Sequence, residues 1–204
     1  REIVSQELSH RIKNIFAVIS GLIAFAARSH PGFGGIASDL RDRITALGRA
    51  HDFVRPHSPQ SQPKARQDSL HGLLGDLFEP YRGDEQMPRI TVAGDDVPVD
   101  DRSATPLALL FHELATNAAK YGALTAPEGK VTVTWAVRRD GDKDALDLSW
   151  VERGGPPAVE PTRKGFGSRI IRMGLTGSGG VQLRYEAQGL SVQATAPLYQ
   201  IQEA

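Results

Sequence analysis

Cysteine is missing from all 204 residues, so the chain has no disulfide, no thiolate nucleophile and no Cys-ligated metal site. That fits a reducing compartment, and a cytoplasmic location is expected. Net charge is missing too. The 24 Lys+Arg cancel the 24 Asp+Glu, so the strong non-specific pull of a basic surface on nucleic acid is excluded; no nucleic-acid partner is expected. No apolar run is read as approaching a membrane span, and Arg1-Glu2-Ile3-Val4 is no signal peptide. There is no initiating Met, and the first residues already follow a helical pattern. The chain is therefore expected to be a fragment whose upstream part was cut off. What is present is ordinary for a soluble globular protein: 40% hydrophobic and 24% charged residues, enough for one large domain or two small ones.

Two long helices open the chain. Leu8, Ile12, Ile15, Ile19, Leu22 and Ala26 alternate in steps of four and three, a coiled-coil-like seam over residues 3–28. Pro31-Gly32-Phe33-Gly34-Gly35 breaks the helix. A second helix is expected from Ile36 to Val54, with Leu40, Ile44, Leu47, His51 and Val54 on one stripe and Pro56 at its end. Two such helices joined by a short loop make an antiparallel hairpin. One hairpin buries too little to stand alone, so pairing into a four-helix bundle, a homodimer, is the natural completion. His51 on the seam is expected to be a satisfied core or interface histidine.

Residues 57–68 are polar and Pro-rich and read as a linker, giving domains at 1–56 and 69–204. A short helix opens at Ser69-Leu70 and stops by Pro80. Arg89–Gly94 is strand-like, and Val97-Pro98-Val99 is a further short piece. Pro106 sits near the start of the next helix, where proline is tolerated. Past Gly122 the apolar period changes to two: Val131, Val133, Trp135 and Val137 in one strand, Leu146, Leu148, Trp150 and Glu152 in the next. After an irregular stretch, a short helix over 168–175 leads to a hairpin of residues 181–185 and 190–195. The second domain is therefore a layer of helices on a mainly antiparallel or mixed sheet.

The chemistry centres on the helix through Phe111–Tyr121. Leu107, Leu110, Phe111, Leu114, Ala118 and Tyr121 share an apolar arc, and Glu113, Asn117 and Lys120 lie along its shoulder at i, i+4 and i+7. An amphipathic core helix can carry such a shoulder without any ligand. The set also suits a magnesium nucleotide: Asn offers a hard oxygen to Mg²⁺, Lys neutralises phosphate, and Glu polarises a nucleophile. Gly165-Phe166-Gly167 before a helix lets backbone N–H groups approach an anion. Gly154-Gly155 at a strand end is a weaker signal of the same kind. Glu152 is read as an acceptor for an adenine amine or as a surface acid, and Trp150 as core. His10 falls at an outward position of the first helix, beside Arg11, Lys13 and Asn14. An exposed imidazole is ordinary, but exposure is also what a phosphate acceptor requires.

The order His10-Arg11-x-Lys13-Asn14, then His112-Glu113-Leu114-Ala115-Thr116-Asn117-Ala118-Ala119-Lys120-Tyr121-Gly122, then Trp150-x-Glu152-x-Gly154-Gly155, then Gly165-Phe166-Gly167 closely resembles the HWE histidine kinases. The resemblance spans essentially the whole chain. It implies an α+β fold: a dimerisation and phosphotransfer hairpin, then a Bergerat-type (GHKL) α/β sandwich that binds ATP. His10 is then the phosphoacceptor, and Glu113 the acid that assists its attack. Asn117 is the Mg²⁺ ligand, and Lys120 and Tyr121 lie near phosphate and nucleotide. Glu152 binds the adenine amine, and Gly154, Gly165 and Gly167 flank the ATP lid. His112 is a family marker that supports the site. The implied activity is autophosphorylation from Mg·ATP followed by transfer to an Asp of a response-regulator receiver domain, under an upstream sensor that this fragment lacks. Two other readings compete: a degenerate phosphotransfer or scaffold module that does not use ATP, and a Bergerat-fold ATPase outside signalling.

Overall fold

The computed structural model describes residues 2–53, 69–83, 88–99, 101–139, 144–161 and 180–197. The 57–68 linker, the expected helix over 168–175 and the Gly165-Phe166-Gly167 segment lie outside them. Helix α1 (Glu2–Ser29) and helix α2 (Gly34–Phe53) form the expected hairpin, joined through the single 3-10 turn Pro31–Phe33. Lys13 pairs with Asp52 at 2.8 Å, which fixes their antiparallel register.

The seam is not where its spacing put it. Within the hairpin α1 half-buries Ile12, Phe16, Ile23 and Ala27, whereas Ile15, Val18, Ile19, Leu22 and Phe25 remain 40–64% exposed. The helix is apolar on more than one face, and the expected seam runs across both: Ile12 and Ala26 are half-buried, Ile15, Ile19 and Leu22 exposed. One further expectation needs correction. His10–Ser29 is long and apolar enough to cross a membrane by length and composition. Its charges sit at the ends, Arg11 and Lys13 before an uncharged run and Arg28 after it, and an apolar helix of a bundle meets the same criterion.

Helix α3 (Leu70–Phe78) begins where Ser69 accepts a hydrogen bond from the Gly72 N–H at 3.4 Å, a side-chain N-cap. Strand β1 (Ile90–Gly94) follows, then helix α4 (Asp101–Tyr121). Pro106 lies five residues into α4, one turn deeper than its expected place at the N-terminus, and costs the helix one internal donor. Strands β2 (Lys130–Arg138), β3 (Ala145–Arg153), β4 (Val181–Glu186) and β5 (Gly189–Pro197) complete the described residues. Val97 and Val99 are buried beside a single bridge between Ser69 and Pro98 rather than in a strand of their own.

The sheet order is β1-β2-β3-β5-β4, with β1 parallel to β2 and every other pair antiparallel, so it is the mixed sheet the period-two stretches required. The register places Val131 opposite Glu152, Val133 opposite Trp150 and Trp135 opposite Leu148. These residues are all buried, so the inner face of β2 and β3 is one apolar layer with a carboxylate at its end. Helices α3 and α4 cover that layer. Leu107, Leu110, Phe111 and Leu114 of α4 are at most 2% exposed, and burying each is worth about 1.5–3 kcal/mol. Phe78, Phe111 and Trp150 meet at ring separations of 5.9–6.4 Å and join helices to sheet. Tyr121, placed on the same arc by its spacing, is 75% exposed because the helix ends there.

Helix α2 adds a second layer over α4. Ala46 and Ala50 are buried in the same core as α3 and α4, and these small side chains let the helix backbones approach closely. Asp39 and Arg43 continue that stripe in steps of four and three.

Candidate functional site at the edge of helix α4

Glu113, Asn117 and Lys120 do lie along one edge of α4, and the structure adds what they meet. Glu113 is only 3% exposed. Arg43 of α2 grips both its oxygens, Nε to Oε1 at 2.5 Å and Nη2 to Oε2 at 3.1 Å. Such a two-pronged guanidinium–carboxylate pair is among the stronger polar contacts a protein makes. The Glu113 hydrogen bond holds the Arg43 guanidinium above its ordinary value. Two turns on, Lys120 Nζ meets Asp39 at 2.8 Å in a more open pair. That bond lowers the Asp39 carboxyl and raises the Lys120 ammonium. Asn117 lies half-buried between these two contacts. His112 is half-buried on the same side, its Nε2 3.5 Å from the Thr116 hydroxyl. Burial pushes its pKa below 6.5, and Arg43 and Arg49 push the same way against Glu113 and Asp42.

The second part of the site is the turn that follows α4. The 3-10 segment Ala123–Thr125 is held from beneath by Glu152, which is 2% exposed. One Glu152 oxygen accepts the Ala123 N–H at 2.9 Å, and the other accepts the Trp150 indole N–H at 3.1 Å. Glu152 is thus neither a surface acid nor open to solvent here; it latches the end of β3 to the end of α4. Burial pushes its carboxyl above the ordinary 4.5, and the two hydrogen bonds offset part of that rise. Arg89 holds the far side of the turn, donating to the Ala126 and Gly129 carbonyls. Gly154 has φ +74°, a left-handed conformation, and a Cβ there would stand 2.7 Å from the Glu128 carbonyl oxygen. A Cβ on Gly155 would overlap the Ala123 backbone. The Gly154-Gly155 pair therefore lets β3 pass against the turn.

His10 stands apart from both parts, exposed on α1. The structure thus gathers Glu113, Asn117 and Lys120 on one helix edge, and Glu152, Gly154 and the 122–129 turn beside its end; it does not bring His10 to them. His51 is half-buried, and its Nε2 has no hydrogen-bond partner among the described residues, so it is not the satisfied histidine expected on the seam. Sequence reasoning missed Arg43, Asp39 and Arg89. The available signal for the first two was their spacing of four on the α2 face that carries Ala46 and Ala50.

A helical hairpin thus leads into a mixed sheet covered by helices, the α+β arrangement that the resemblance implies. The comparisons agree. The family model of the HWE histidine kinases matches residues 7–96 of this chain. It is 36% identical to blue-light-activated histidine kinase 1 of Erythrobacter litoralis, over 97% of this chain and 53% of that protein. It is 28% identical to the blue-light-activated histidine kinase of Brucella ovis, over 97% of this chain and 40% of that protein. The chain thus spans about half the length, or less, of the curated relatives it matches. Among solved structures, the histidine kinase domain of an Erythrobacter litoralis blue-light-activated histidine kinase superposes with a TM-score of 0.55 at 22% identity, covering 98% of this chain and 93% of that one. A longer structure of that kinase gives 0.58 at 21% identity, covering 98% and 60%. At such identity these two likenesses establish the fold.

Proposed function

We propose that the chain is an active protein-histidine kinase core that moves the γ-phosphoryl group of ATP to His10, and from there to an Asp of a response-regulator receiver domain. The observation that carries this reading is the edge of α4, where Asn117 lies between Glu113 and Lys120 directly before the clamped 122–129 turn. The donor set fits a cation delivered by phosphates. Among the described residues no group of three His, Asp or Glu gathers that could hold a metal alone, and Asn117 offers one hard oxygen. Magnesium, when bound there, would offset charge on the triphosphate. Lys120 would neutralise phosphate, and the Gly154-Gly155 segment and the turn would border the nucleotide, with Glu152, buried and bonded to Ala123 and Trp150, holding that border in place. Tyr121, exposed, would contribute at the nucleotide, and Gly165 and Gly167 would flank the lid.

In the transfer itself, the bond from the γ-phosphorus to the bridging oxygen breaks and ADP leaves. A bond forms from phosphorus to an imidazole nitrogen of His10, and the ring proton passes to a base, the role assigned to Glu113. Catalysis is then mostly positioning and electrostatics. Residues 1–56 form the phosphotransfer hairpin, 57–68 the linker and 69–204 the ATP domain. The exposed face of Ile15, Val18, Ile19, Leu22 and Phe25 is what a second copy would cover, giving a homodimeric four-helix bundle. We place the chain in the cytoplasm, downstream of a sensor.

The test is incubation with γ-labelled ATP and Mg²⁺ beside His10→Ala and Asn117→Ala variants. Acid-labile label on the wild type, lost in both variants, is the expected result. Mg·ATP binding without any label at His10 would instead favour an ATPase outside signalling, and no nucleotide binding would favour the degenerate scaffold.

A further inference from the structure

The hairpin's own contacts give a ruler. Lys13 is level with Asp52, and Phe16 packs 3.9 Å from the position a Gly48 side chain would take, so the register holds over this stretch. Arg43 lies nine residues along α2 from Asp52, toward the connecting turn. His10 lies three residues along α1 from Lys13, toward the open end. The two offsets add, so His10 and Arg43 are separated by about 18 Å along the hairpin at 1.5 Å per residue. Arg43 holds Glu113, and Asp39, one turn further from His10, holds Lys120. The catalytic edge of α4 is thus pinned to the end of the hairpin away from the phosphoacceptor. Pairing two hairpins about an axis along the bundle leaves that height unchanged, so a partner copy's histidine would be no closer in height.

We propose that the Arg43–Glu113 and Asp39–Lys120 pairs form an autoinhibitory clasp, which holds the ATP domain in a resting position from which it cannot reach His10. This rests on the kinase reading above. The clasp has two features that a merely stabilising contact would not need. It takes both oxygens of the one carboxylate assigned to assist the attack, and it takes the ammonium assigned to phosphate. Both pairs also sit on α2, the helix that precedes the linker in the sequence, so a shift or rotation of the hairpin breaks them together. Release of Arg43 and Asp39 is therefore the step that an upstream signal has to bring about.

The experiment compares this chain with the double variant Asp39→Asn/Arg43→Gln, neither residue having a part in the transfer chemistry. Two quantities are followed: the initial rate of acid-labile labelling by Mg·ATP, and hydrogen exchange in residues 39–50 and 112–120. The clasp predicts a rise of about three- to tenfold in labelling, together with faster exchange in both segments. Arg43→Lys, which keeps one point of attachment, should fall between. Faster exchange with slower labelling would overturn the proposal and make Arg43 a positioning residue for Glu113. Unchanged exchange would overturn it as well, since the pairs would not be what holds the helices. If neither the wild type nor the double variant takes label, the kinase reading fails and the clasp's role falls with it; label on the variant alone supports the clasp. Wild-type labelling that the variant does not exceed sinks the clasp alone.

Discussion

Replacing Glu152 by glutamine changes one oxygen to an amide nitrogen in a place the structure leaves no room to rearrange. The carboxylate accepts the Ala123 N–H and the Trp150 indole N–H, one on each oxygen, at 2% exposure. Glutamine keeps one acceptor and turns a donor toward the other N–H. One hydrogen bond to a charged group, worth about 1.5–3 kcal/mol, is lost, and a buried donor is left facing a donor for roughly another 1 kcal/mol. We expect about 2–4 kcal/mol of destabilisation. For a urea slope of about 2 kcal/mol/M, the midpoint should fall by roughly 1–2 M. Trp150 reports on the event directly, since its indole loses or keeps the partner.

Acidity gives a second readout of the same group. Burial raises the folded-state pKa of Glu152 above its ordinary 4.5. Between that value and the raised one, the folded chain holds a proton that the unfolded chain has already released. The Glu152 contribution to stability is therefore greatest below 4.5 and falls as pH climbs through that window. The glutamine variant should lose this part of the slope. A variant within about 0.5 kcal/mol of wild type, with the slope unchanged, would refute the latch.

Two further outcomes follow from the same geometry. Gly155→Ala places a methyl group against the Ala123 backbone and should cost about 1–3 kcal/mol, read as a lower thermal midpoint with weaker Mg·ATP-analogue binding; an unchanged midpoint would mean the strand does not pass so close to the turn. Leu22→Lys lies on the exposed α1 face and should leave the monomer's stability within about 0.5 kcal/mol while abolishing self-association by light scattering; a persistent dimer would place the interface elsewhere.

How much of this was readable from the chain alone depends on which forces leave a periodic trace. The strands around Val131-Val133-Trp135 and Leu146-Leu148-Trp150 alternate because one face is buried, and alternation sets both the strand and its register. The α4 arc of Leu107, Phe111 and Leu114 is readable for the same reason. Glu152 was readable only as an inward position at the end of that alternation. Its latch to Ala123 is a contact between β3 and the turn after α4, and no local pattern encodes a partner 29 residues away. On α1, abundance misled: with apolar residues on two faces, spacing could not say which face the hairpin uses and which it leaves open. On α2 the reverse held. Asp39, Arg43, Ala46 and Ala50 look like a solvated stripe because two are charged and two are small. They are the stripe that packs on α4, with the charges answered by Glu113 and Lys120 70 and 81 residues further on.

The hairpin therefore works through three faces rather than one. Ile12, Phe16 and Ile23 close α1 on α2, the Ile15–Leu22 face of α1 stays open, and the Asp39–Ala50 stripe of α2 packs on α4 and pairs with Glu113 and Lys120. The second is apolar and on α1; the third is charged at one end and on α2. Covering the open face would draw on buried apolar area, which salt hardly touches. Parting the charged end draws on ion pairs, of which the exposed Asp39–Lys120 pair is screened by salt. On the proposed reading, self-association and release of the clasp would thus be set independently by different parts of one hairpin. A signal that rotates α1 and α2 together would keep the apolar contacts in register by a small slide. It would still break the Arg43–Glu113 pair, because a two-pronged bond tolerates little change of angle.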